Sequence, residues 1–446
     1  MARKTARSSI SSSETLEDHF EETVIAKHGD ICLKVKDPRT KLEHRYFCSR
    51  NVLRSASEYF DVLLDPVKFS EGVAIEARLQ ELYKQYDGPI PSSDLPTVAV
   101  ADAGELLNAN VSMCSLLRLF LRIIHDPGTP WPVSRSQSVT VVALLAVVAD
   151  RFAAQGLIAT YLRQQMLDIT LLKDRKPTSA YKTELGNRQR LLAGMIFGFS
   201  QWVLQCSAAL VIEGPKRWTN PHSESGDEAE KNDDDAIWWR LPGGVEGTFL
   251  PGLEMLWTHC TDYGSEELLC RREYVLDTLS SIQKHFIALY SSRQRQCRLG
   301  YGSSPNCDSY QLGESIRFCS RKGLLRVESA FATTTDDDHE PYNGNIDDII
   351  AKLRECPSYQ IDRNHSHCGM RTRLMPILDS LWPSNSVWIC LDCWRSDRGM
   401  ESWLDNPKGG KWEWRKKPQS RVISGCQAHR EAKAMFTADS RDWTPV

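Results

Sequence analysis

Four residues near the end of the sequence have the types and spacing to do chemistry together. Cys390-x2-Cys393 lies in VWICLDCWRSDRG, and Cys426-x2-His429 follows in SGCQAHREAKAMF after a gap of 32 residues. Each x2 spacing puts two side chains on one side of a knuckle. Two knuckles that meet supply the four soft or borderline ligands a tetrahedral structural Zn2+ takes. The gap must then fold as a sub-loop, for which SWLDNPKGGKWEWRKKP offers a Gly409-Gly410 turn and an alternating Lys411–Trp414. Two other readings stay open: buried thiols without a ligand, and a Cys-x-x-Cys redox pair. The redox reading lacks the βαβ surroundings that such pairs use. A catalytic zinc needs an open coordination position beside a general base, and neither is visible.

A second group of the same residue types is Cys356, His365, His367 and Cys368 in CPSYQIDRNHSHCG, with Cys297 or Cys307 of CRLGYGSSPNC as further donors. Histidines in such a turn-rich stretch can equally be hydrogen-bonded loop residues. Cys260, Cys270 and Cys319 fall in apolar helical patterns and are expected in the core. The sequence contains no Gly-rich phosphate loop, no GxSxG elbow, no HExxH and no kinase set, so nothing specific proposes an enzyme.

The elements that must position these residues belong to a chain of 446 residues, 41% hydrophobic and 25% charged, with a net charge of −3. That size accommodates two or three cores. The charge balance gives no global basic field for nucleic acid. KWEWRKKPQSR interleaves tryptophan with Lys411, Arg415, Lys416, Lys417 and Arg421, a local pattern that suits base stacking, or simply a solvated basic loop. The 14 cysteines are too few for a disulfide scaffold, and the start, MARKTARSSISSSE, has no apolar signal core. These features predict an intracellular protein, cytoplasmic or nuclear, with reduced cysteines. The uncharged run Leu191–Ile212 has nearly the length of a membrane span. Gln201 and Gln205 group on one side of it, which predicts a helix buried against protein.

Residues 1–20 read as a disordered tail, with a short helix over SETLEDHFEE capped by Ser13. DICLKVKD and HRYF predict a hairpin over 30–48, with Ile31, Leu33 and Val35 inward. Two helices follow, the second capped by Ser57, and LPTVAVAD gives a third strand. MCSLLRLFLRIIH predicts a helix over 113–125, and residues 138–166 predict two helices broken near Gly156. Beyond lie a helical segment at 180–215, an acidic linker at 222–235 and a helical region at 236–330, where Leu276, Leu279, Ile282, Phe286 and Leu289 recur at helical spacing. A second solvated break at 333–340 precedes a Cys/His/Trp-rich module at 345–446. The expected class is α+β followed by a mainly α-helical region.

The order GDICLKV, YFCSRNVLRSASEYFDVLL, KFSEG, TVAVAD, LLRLFLRIIH and LLAVVADRFAAQGL resembles the BTB/POZ domain over residues 27–170, in a divergent, fungal-type form. Asp30 after a glycine, Val52-Leu53 and Ser57 with Phe60 carry the likeness. Ser49 stands where such domains carry a histidine, and the insertion Ala74–Pro96 lengthens the loop before the third strand. The resemblance implies a non-enzymatic protein-interaction role, by self-association as a homodimer or by docking of other proteins. In family members that serve cullin-type ubiquitin ligases as substrate adaptors, a hydrophobic–any–Glu sequence contacts the cullin scaffold, and Phe69-Ser70-Glu71 matches it. A further alternative is a zinc-stabilised, nucleic-acid-binding transcriptional regulator. Cys48 ends a strand among core residues and reads as a buried small hydrophobe, not a nucleophile.

Overall fold

The computed structural model describes residues 20–37, 42–100, 112–134, 137–173, 180–214, 238, 267–297, 299, 304–325, 342, 344–381, 387–404, 413–415 and 426–444. Residues 1–19 of the predicted tail, both solvated breaks and the basic residues Lys411, Lys416, Lys417 and Arg421 lie outside them, while Phe20, placed in the tail by the sequence, begins a strand. The chain is α+β and divides into two compact units. One holds residues 1–131 and 148–161; the other holds 132–147 and 162–446.

In the N-terminal unit, β1 (Phe20–Val24), β2 (Ile31–Lys36), β3 (Glu43–Cys48) and β4 (Thr97–Ala99) form a sheet of order β1-β3-β2-β4. β2 and β3 make the predicted antiparallel hairpin, with Leu33 opposite Tyr46. β4 runs parallel to β2, and β1 parallel to β3. The helix expected over SETLEDHFEE therefore gives way to strand from Phe20. Arg45 lies over the Phe20 ring at 3.9 Å, so pairing with a strand distant in sequence overrides the local i, i+4 signal.

Helices α1 (Arg50–Ala56) and α2 (Glu58–Leu63) follow β3 directly. The Asp30 carboxylate accepts the Arg50 N–H at 2.6 Å and so tethers the start of α1 to the first residues of β2. Ser57 caps α2 as expected, accepting from the Phe60 N–H, and its hydroxyl donates to the Phe152 carbonyl at 2.5 Å. α3 (Ser70–Gln85) makes the first half of the insertion Ala74–Pro96 helical, where a lengthened loop is expected. It buries Gly72, Ile75, Leu79 and Leu82, and a Cβ at Gly72 would lie 2.0 Å from the Asp65 carbonyl oxygen, so only glycine permits this approach.

α4 (Met113–His125) matches its prediction and buries Leu117, Phe120, Leu121 and Ile124. His125 accepts the Ser49 N–H on Nε2 at 3.0 Å, while its Nδ1 faces the Leu121 carbonyl at 2.8 Å. An imidazole thus satisfies the Ser49 backbone N–H. Burial holds His125 below its ordinary value of 6.5, and only the neutral ring can accept from Ser49. Since the depressed group binds a proton more readily when unfolded, its stabilising effect is present above pH 6.5 and declines as pH falls below it. The unfolding midpoint of the N-terminal unit should drop between pH 7 and 5 by more in wild type than in His125→Gln, as read by urea titration.

α5 (Ser138–Arg151) and α6 (Gln155–Gln164) break at Ala153, which adopts φ 47°; Gly156, the expected break, lies inside α6. α7 (Leu167–Lys173) follows. In the C-terminal unit the predicted segment 180–215 is two helices, α8 (Ala180–Phe197) and α9 (Ser200–Glu213), turned at Gly198 with φ +73°. A Cβ at Gly194 would meet Trp202 at 3.0 Å and Val203 at 3.1 Å, a measure of how closely the pair packs. Among the described residues no helix is long and apolar enough to cross a membrane.

α10 (Glu267–Ser291) is the predicted amphipathic helix and the spine of this unit; Leu279, Ile282 and Phe286 are buried on it. α11 (Ser304–Arg321), α12 (Ile346–Arg354), α13 (Met370–Leu381), α14 (Leu391–Ser396), α15 (Arg398–Glu401) and α16 (Cys426–Phe436) complete the α-helices among the described residues. β5 (Glu413–Arg415) pairs in parallel with β6 (Ser440–Asp442).

Candidate metal centres

Cys390 caps the start of α14, and Cys393 sits in its first turn. Cys426 and His429 lie one turn apart at the start of α16, where i, i+3 spacing puts them on one face. The two knuckles converge: one ligand atom from each of Cys390, Cys393, Cys426 and His429 lies within 4.8 Å of the others. Cys393 Sγ is 4.0 Å from His429 Nδ1, and the His429 ring meets Trp388 edge-on at 5.1 Å. Cys426 is exposed, and Cys390 and Cys393 are half-buried. Burial and the crowding of Cys426 and Cys390 push the Cys393 thiol up to about 12. A cation at the centre of the four would reverse that preference, because the metal-bound form is the thiolate.

A buried charge network that the sequence reading missed holds this first knuckle in place. Arg271 on α10 is 1% exposed and Glu267, one turn earlier, is 0% exposed. The Arg271 guanidinium bonds Glu267 at 2.6 Å, the Glu401 carboxylate at 3.2 Å, and the carbonyls of Val387 and Trp388 just before Cys390. Glu401 in turn accepts the Cys390 N–H at 3.2 Å. Glu267 accepts from the Ser402 hydroxyl at 2.7 Å and the Trp403 N–H at 2.9 Å. Trp403 stacks on Phe436 at 5.4 Å, which connects the same network to the far end of α16. The Glu-x3-Arg spacing at 267–271 was the available signal, but the partners are more than a hundred residues away. Arg272 has a separate task, donating to the Val211 and Ile212 carbonyls at the end of α9 and to those of Tyr342 and Gly344.

The second group assembles differently from its expectation. His365 and Cys368 come together with both Cys297 and Cys307, all four buried and within 4.8 Å. Cys356 and His367 lie outside the cluster. Cys356 is buried with its thiol turned toward the Pro357 carbonyl, and burial raises it to about 11, while His367 is exposed. The informative spacing is His365-x2-Cys368, the spacing of the pair at 426–429 in reversed order. Burial, with Cys368 and Cys297 beside it, pushes the Cys307 thiol up to about 12. The described cysteines form no disulfide. Cys319 is buried as expected, Cys270 is half-buried, and Cys260 lies outside the described residues. Cys48 is fully buried, and burial raises its thiol far above the ordinary value, which removes the thiolate a nucleophile needs. Asp37, His44 and Cys114 make a third buried grouping, with three donors where a closed tetrahedral site takes four.

The two residues singled out for partner contact sit at the start of α3. Phe69 is its N-cap residue and 47% exposed, and Glu71 is exposed in the first turn. Val67 and Val73 beside them are 83% and 48% exposed. The chain matches none of the protein-family models, curated proteins or solved structures with which it was compared.

Proposed function

We propose that this is a non-enzymatic protein-interaction protein, in which a BTB/POZ-like N-terminal unit self-associates and zinc at Cys390, Cys393, Cys426 and His429 stabilises the C-terminal unit. The observation that carries the reading is the start of α3. Its buried positions, Ile75, Leu79 and Leu82, face inward, whereas Phe69 and Val73, one turn apart, leave apolar surface exposed beside Val67. β1 adds an edge strand with Phe20 and Val24 exposed. For the metal, the support is the convergence of three thiols and an imidazole from two distant knuckles, the donor set zinc prefers.

The double variant Phe69→Ala/Val73→Ala should lower the native mass of the full chain toward that of a monomer while leaving its circular dichroism unchanged, since neither side chain supports the core. An unaltered assembly would remove this surface from the account. A second reading, substrate adaptor of a cullin-type ubiquitin ligase, is favoured by the exposure of both Phe69 and Glu71 in the hydrophobic–any–Glu pattern. Phe69→Ala with Glu71→Ala should then abolish capture by a purified cullin. Absence of capture by the wild-type chain would reject it.

A further inference from the structure

We infer that Cys297, Cys307, His365 and Cys368 form a second zinc centre, closed to solvent, independent of the first and slower to release its metal. The distances themselves carry this. A tetrahedral zinc with Zn–S of about 2.3 Å and Zn–N of about 2.0–2.1 Å sets neighbouring sulfurs about 3.8 Å apart and a sulfur–nitrogen pair about 3.5 Å apart. Cys297 Sγ lies 3.8 Å from Cys368 Sγ and 3.5 Å from His365 Nδ1. Cys307 completes the four, with its ligand atom inside the same 4.8 Å. The two edges that meet at Cys297 thus have the lengths of a metal tetrahedron, and the other ligand atoms lie within 4.8 Å of one another.

The surroundings have the order expected around a metal. His365 turns Nδ1 inward, and its Nε2 faces the Asp362 carboxylate at 3.8 Å, a charge contact longer than a hydrogen bond. The Cys368 carbonyl accepts the Tyr290 hydroxyl at 2.9 Å. Next to Cys297, the Gln296 N–H donates to Asp308 at 2.8 Å, and Arg373 bonds the Gln296 carbonyl at 3.1 Å. Each of the three segments that bring ligands is therefore fixed by bonds outside the cluster.

α10 explains the independence. Arg271 near its start holds the Cys390 knuckle, and Tyr290 near its end holds Cys368. At 1.5 Å per residue, roughly 28 Å of helix separate the two. The centres share no ligand. They differ in access as well, since all four ligands are buried in one and Cys426 is exposed in the other. A chelator can reach the Cys390 centre directly, but reaches the buried Cys297 centre only when the surrounding helices open.

The test uses the full chain purified with zinc and does not depend on the role of the N-terminal unit. Elemental analysis should give two zinc per chain, and a chromogenic chelator should remove them in two phases whose rates differ by roughly tenfold or more, as local opening limits the slower one. Cys390→Ser should retain one equivalent, the slow one, and Cys307→Ser should lose the slow phase. If Cys307→Ser does not fold, wild type and Cys390→Ser decide. One equivalent or fewer in the wild type, or release of two in a single fast phase, overturns the inference. So does a Cys390→Ser protein of unchanged helicity that carries no zinc, which would leave the cluster as hydrogen-bonded thiols.

Discussion

Arg271→Met should destabilise the C-terminal unit by about 3–5 kcal/mol, the usual cost of removing one partner from a buried ion pair. Glu267 and Glu401 would be left as carboxylates inside the protein without their counter-charge, and the Val387 and Trp388 carbonyls would lose their donor. The effect should reach the metal as well, because the segment so held leads into Cys390 and Glu401 takes the Cys390 N–H. Arg271→Lys should rescue little. An ammonium is a point charge, whereas these partners are spread around a planar fork of donors. Unfolding followed by tryptophan fluorescence and zinc release would check both parts. A loss below about 1 kcal/mol, typical of an exposed pair, would mean that the network is not buried in solution.

The second large effect is expected in the other unit. Phe152→Ala should cost about 3–5 kcal/mol, the range for truncating a buried phenylalanine. Phe152 is fully buried; it stacks on Phe60 at 5.3 Å and meets Tyr59 at 5.3 Å and Phe120 at 5.4 Å. Its carbonyl also receives the Ser57 hydroxyl, so α2, α4 and the segment after α5 meet at this one residue. Phe69→Ala in the same unit should change stability by under about 0.5 kcal/mol, since the ring is half exposed and supports no packing of this kind. Comparable losses in the two variants would contradict this assignment of core and surface.

What could be read from the sequence was what is local. The β2–β3 hairpin, α4 and α10 each carry their own periodicity, and Cys390-x2-Cys393 and Cys426-x2-His429 each carry a knuckle in four residues. What depends on distant partners was not legible. β1 is a strand because β3 lies beside it, and the turns at Ala153 and Gly198 depend on backbone states that hydrophobic spacing does not encode. α3 is legible in principle, since Ile75, Leu79 and Leu82 repeat at helical spacing, although the resemblance implies a loop there. The buried cluster shows the same division: His365 and Cys368 were found from their closeness in sequence. Choosing Cys297 and Cys307 over Cys356 and His367 requires knowing which way α10 and α11 bring the intervening segment. Likewise the Glu267–Arg271 pair looks like ordinary surface spacing until Glu401 closes over it.

The claim at the centre of this account is that the N-terminal unit exists to contact other chains, first of all a second copy of itself. Native mass spectrometry of the metal-loaded full chain tests it most directly. The account predicts an assembly of two 50.6 kDa chains at micromolar concentration. A lone 50.6 kDa species that persists as concentration is raised would contradict it.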